Sequence, residues 1–99
     1  MTEPPAMLEL ETAELDATAL SQLFADVAAH TELVAVLVKG AAESLAEGGS
    51  VTLDDALARL QRRAVRGVQL RYRYQGREWW DTLVALPGVD TVRVVRVAH

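Results

Sequence analysis

The chain has 99 residues, 51% hydrophobic and 24% charged, a balance that belongs to one small globular domain and excludes a disordered one. It has no cysteine, so disulfides, thiolate metal sites and cysteine nucleophiles are excluded together. The formal charge of -4 is unevenly spread: residues 1–50 hold nine acidic side chains and one lysine, residues 51–99 nine arginines and five acids.

Residues 1–7 read as a loose tail, since Pro4 and Pro5 forbid helix and sheet alike. This acidic start is the reverse of a basic, apolar signal peptide. Leu8 to Glu11 alternates apolar and acidic, which fits a short edge strand or the entrance to a helix equally well. Asp16 is a good N-cap for a helix running to about Ala29, with Leu20, Leu23, Phe24 and Val27 on one stripe. Thr31-Glu32 restarts a second helix. Its apolar positions (Leu33, Val34, Leu37, Val38, Ala41, Leu45) keep helical spacing until Gly48-Gly49. Gly40 falls inside that helix at a cost of about 1 kcal/mol, which points to a second backbone packed close to it or to a kink. The longest apolar run, Leu33 to Val38, is far too short to span a bilayer, so a soluble, cytoplasmic protein without membrane contact is expected.

Thr52 opens a third helix, with Asp54 and Asp55 in its first turn and Arg59, Arg62, Arg63 and Arg66 toward its end. Leu53, Leu57, Leu60 and Ala64 make the buried stripe, and Gly67 ends the helix. Residues 16–64 are thus mainly helical and residues 67–97 form an antiparallel sheet. The first strand alternates Val68, Leu70, Tyr72 and Tyr74 against Gln69, Arg71 and Arg73. Gln75-Gly76 is a hairpin turn, residues 78–86 run back, Pro87-Gly88 turns again, and Val89 to Val97 return as a third strand. The expected fold is α+β: an N-terminal helical hairpin and a third helix packed on a three-stranded antiparallel β-meander, as one domain over residues 1–99.

The hairpin register decides which tryptophan faces outward, because a shift of one residue flips every side chain. A two-residue turn sets Tyr72 opposite Trp79, Arg73 opposite Glu78, and Asp81 opposite Leu70 on the apolar face. A three-residue loop instead places Trp80 inside, Trp79 beside Arg73, and Asp81 against Arg71. An unpaired buried carboxylate costs several kcal/mol, so the second arrangement is favoured.

The chemistry sought leaves few candidates. His30 and His99 have no ligand spacing around them, and Ser21, Ser44 and Ser50 lack the glycines of a nucleophile elbow. Gly48-Gly49-Ser50 is too short for a phosphate loop, and Asp54-Asp55 point about 100° apart on a helix. No metal and no cofactor is expected. Asp81, between Trp80 and Thr82, is the single carboxylate in an unusual setting, and a small enzyme with an Asp81-centred pocket would use it as a base. A nucleic-acid-binding, winged-helix-like regulator would use the RYRY strand, against which stand a pI near 5.0 and a single lysine.

The RYRY…EWWDTL block has the look of a small bacterial domain. Arginine and exposed tryptophan together are typical of interface centres. The leading expectation is a non-catalytic protein-binding module, an accessory or regulatory subunit that meets a protein partner or a second copy of itself. Its binding residues would be Arg71, Arg73, Trp79, Trp80 and Asp81, with Arg71, Arg73 and Trp79 at the contact of a homodimer.

Overall fold

The computed structural model describes residues 10–40 and 51–99. Its elements are β1 (Leu10–Leu15), α1 (Ala17–His30), β2 (Glu32–Lys39), α2 (Leu53–Gln61), β3 (Gly67–Tyr74), β4 (Arg77–Ala85) and β5 (Val92–Ala98). The strands form one five-stranded sheet in the order β1-β5-β4-β3-β2, antiparallel at every pairing. The first two strands in sequence are therefore its two edges, and α1 crosses the sheet to join them.

The expected helical hairpin on a three-stranded meander is overturned. The second helix begins where the chain in fact forms β2, whose Glu32–Lys39 pair with β3 from Arg73 to Gly67. Periodicity could not separate the two states here, because a continuous apolar run satisfies helix and buried strand alike. Val34, Val36 and Val38 tip the balance, since β-branched side chains suit a pleated surface. The remainder of the expected helix, and the tail at 1–7, lie outside the described residues. The alternation near residue 10 resolves as strand β1, paired along its whole length with β5. A helix followed by a freestanding hairpin, the winged-helix order, is likewise replaced by a hairpin inside a wider sheet.

The two helices follow their caps. Asp16 Oδ1 accepts from the Ala19 N–H at 2.8 Å and Thr52 Oγ1 from the Asp55 N–H at 3.0 Å. The α1 stripe buries Leu20, Phe24 and Val27, while α2 buries Ala56 and Leu60. These side chains meet Val68, Leu70 and Tyr72 of β3, Leu83 of β4, and Val92 and Val94 of β5. One sheet face is thus covered by both helices.

The third helix ends at Gln61, earlier than its arginines suggested, and Ala64 is exposed rather than buried. Arg63 explains the early stop. Its backbone takes φ 57°, and its guanidinium donates to the carbonyls of Leu86 (2.9 Å), Val89 (2.6 Å) and Thr91 (3.3 Å). The loop between β4 and β5 is held by this clamp, so β5 starts at Val92 rather than Val89. Gly40 closes β2 with φ +85°, and a Cβ there would lie 2.5 Å from Cβ of Arg66. The close backbone approach expected at Gly40 is present, but it belongs to a strand end rather than a helix.

Candidate protein-binding face

The hairpin turn fixes the site. Gln75 and Gly76 both have positive φ, 54° and 81°, the signature of a two-residue type I′ turn. Tyr74 therefore pairs with Arg77, Arg73 with Glu78, Tyr72 with Trp79, Arg71 with Trp80 and Leu70 with Asp81. This is the register set aside at the sequence level. Trp80 points with Arg71 and Arg73 to the side of the sheet that no described helix covers, whereas Trp79 and Asp81 point to the side covered by α1 and α2. Five candidate residues thus divide into two groups on opposite faces.

The buried carboxylate that argued against this register is paired after all. Asp81 has no exposed side-chain surface. Its Oδ1 accepts from Arg96 Nε at 2.8 Å, and Oδ2 accepts from Arg96 Nη2 at 2.8 Å and from the Tyr72 hydroxyl at 2.9 Å. The two-pronged arginine contact is the strong form of this pairing. Burial, reinforced by the charge of Asp81, pushes the Tyr72 hydroxyl well above its ordinary value of 10.0. The hydrogen bond to Asp81 holds Arg96 more firmly protonated than usual, with burial acting the other way. Sequence reasoning missed Arg96, although a signal was present: Arg93 and Arg96 lie three apart on one strand and so face opposite sides.

A cleft of about 610 Å³ opens beside this triad, between α1 and the end of the sheet. Leu23, Asp26, His30, Tyr72, Tyr74 and Arg96 are among its lining residues. Asp81 is not among them; it lies beneath Tyr72 and Arg96 with both oxygens occupied. The lining of the cleft thus leaves out the Asp81 carboxylate. Trp79 packs against the core with the Arg77 guanidinium 5.4 Å from its ring centre, and its indole N–H is buried without a hydrogen-bond partner.

The face without a described helix is organised around Trp80. The Arg71 guanidinium carbon lies 3.8 Å above the indole centre, and the His99 ring stacks on it at 4.0 Å, tilted by 33°. Trp80 Nε1 donates to Glu78 at 2.8 Å. Gln69 bridges the next pair, donating to Thr82 at 2.9 Å and accepting from Arg71 Nε at 2.9 Å. Arg71 is thus held over the indole, with its Nε bonded to Gln69. Arg73 is more nearly neutralised, standing in register between Glu32 of β2 and Glu78 of β4. His99 also escaped sequence reasoning, because nothing local announces a cross-strand stack.

Comparison with protein-family models, with curated proteins and with solved structures gives no match. Among the described residues no group of three or more His, Cys, Asp or Glu is placed to hold a metal ion. No described helix is long and apolar enough to cross a membrane.

The two tryptophans should separate in stability. Trp79→Ala removes packing against the core and is expected to cost about 2 kcal/mol, less than a fully buried aromatic. Trp80→Ala loses one cross-strand stack and should cost about 0.5–1.5 kcal/mol. Urea unfolding of both variants checks the order, which is the opposite of that implied by the three-residue loop.

Proposed function

We propose that the chain is a non-catalytic protein-binding module whose contact is the sheet face centred on Arg71 and Trp80. The observation that carries this reading is the Arg71–Trp80–His99 stack, fixed by Gln69 and Glu78, with no described helix above it. A planar guanidinium pre-set on an indole loses little conformational entropy on binding, and its fork fits a carboxylate with two parallel hydrogen bonds. The partner is therefore a protein that presents an Asp or Glu above an apolar patch. Trp80 replaces Trp79 as the anchor, Arg71 supplies orientation, and Arg73 acts at the rim.

A photo-crosslinking side chain at Thr82, two residues from Trp80 on the same face, tests this in the native host. The expected result is an adduct of discrete mass that disappears when Trp80→Ala and Arg71→Glu are added. The same probe at Ala28, on the exposed side of α1, should give none. No adduct at position 82, or one indifferent to the two substitutions, removes the reading. Nucleic acid is the competing class. In a Trp79→Phe chain, where Trp80 is the remaining tryptophan, saturable quenching by a single-stranded oligonucleotide at low salt would transfer the face to it.

A further inference from the structure

Three of the five large hydrophobic residues exposed among the described residues lie on one strand: Leu33 (41%), Val34 (48%) and Leu37 (36%) of β2, the other two being Tyr74 and Val89. β2 is the last strand of the sheet, hydrogen-bonded to β3 on one side and to no described strand on the other. A free edge of this kind is a template for another strand, and sheets normally blunt it with charge, proline or shortness. The opposite edge is blunted: β1 carries Glu11 and Glu14 within its six residues. β2 has eight residues, ELVAVLVK, with charge at its two ends alone.

We infer that β2 pairs antiparallel with β2 of a second copy of this chain, joining the two sheets edge to edge. The occupant follows from the charge and face pattern of the strand. The register with β3 puts Leu33, Val36 and Val38 on the helix side and Glu32, Ala35, Leu37 and Lys39 on the other, with Val34 as an extra residue at the shift between Leu33 and Ala35. A two-fold axis normal to the sheet must set like face against like face. Centring it on Val36 does so throughout. Val36 meets Val36 of the second copy, Ala35 meets Leu37, and, past the extra residue, Leu33 meets Val38 and Glu32 meets Lys39. The end charges have opposite sign, so the symmetric pairing creates two cross-strand ion pairs and places no like charges opposite each other. The strand is complementary to itself in face and in charge. This contact lies on the edge, away from the Arg71–Trp80 stack, and holds or fails independently of the reading given for that face.

Sedimentation velocity of the full chain at tens of micromolar is the test, with far-UV circular dichroism confirming that each variant folds. Wild type should be dimeric, and Val34→Lys with Leu37→Lys should be monomeric. Glu32→Lys alone or Lys39→Glu alone places like charges opposite each other twice and should weaken the dimer about tenfold. The exchange Glu32→Lys with Lys39→Glu should restore it, which a general loss of solubility or fold would not. Trp80→Ala with Arg71→Glu should leave the dimer unchanged. A monomeric wild type overturns the inference. So does a dimer that survives the two edge lysines, or one abolished by the Trp80 and Arg71 changes instead.

Discussion

Asp81→Ala is expected to destabilise the protein by about 3 kcal/mol, the lower end of the range for removing one partner of a buried ion pair. The lower end applies because Arg96, the partner left behind, keeps about a third of its side-chain surface open to the cleft and can reach water. Asp81→Leu combined with Arg96→Met should recover most of the loss, since an apolar pair of similar volume avoids desolvating two charges. Tyr72→Phe should cost about 1 kcal/mol at neutral pH, one hydrogen bond. Its larger effect is alkaline. The Tyr72 hydroxyl is held protonated by burial and by the Asp81 charge, above its ordinary 10.0. An unfolded tyrosine ionises near that ordinary value, so this stabilisation is complete below it and is lost as pH rises toward the folded value. Wild type should therefore lose stability above about pH 10 more steeply than Tyr72→Phe. Chemical denaturation at a series of pH values measures wild type and the three variants. An Asp81→Ala protein as stable as wild type would show that the triad does not tie β3, β4 and β5 together.

The limits of the sequence reading trace to the same residues. The helix starts at Asp16 and Thr52, the alternation of β3 and the turn at Gln75-Gly76 were all legible, because each rests on local chemistry. The hairpin register was not. It hinged on whether Asp81 would find a cation on the apolar face, and the answer came from Arg96 on β5, the strand next to the hairpin. A rule against unpaired buried charge, applied without that partner, chose the wrong register and exchanged Trp79 for Trp80. β2 was missed for a different reason. LVAVLV satisfies helical spacing, and its strand pairing depends on β3, which lies beyond an intervening helix. Of the candidate site, Arg71 and Arg73 were set on one face with a tryptophan, but with Trp79 where the structure has Trp80, and the stack of His99 on Trp80 required the fourth and fifth strands to be set side by side.

Leu60→Ala should cost about 4 kcal/mol, near the upper end for buried leucine truncations. The site explains the magnitude. Leu60 is 1% exposed and belongs to the nine-residue α2, whose other fully buried side chain is Ala56. So short a helix is marginal on its own, and its place on the sheet rests on tertiary packing rather than on propensity. Ala56 contributes little area, and Leu53 and Leu57 are only partly covered, so Leu60 is the largest fully buried side chain that α2 adds to the core shared with Val68, Leu70 and Leu83. Relaxation cannot readily fill the cavity, because Arg63 ties the end of α2 to the loop between β4 and β5 and fixes its height above the sheet. The residual cavity term therefore adds to the transfer term. Arg63→Ala added to Leu60→Ala should then cost less than the sum of the two single substitutions, since a freed helix end can settle into the space. Urea midpoints of the single and double variants, with unchanged denaturant slope, give the comparison. A loss below about 1 kcal/mol for Leu60→Ala would mean that α2 is not what seals this side of the core.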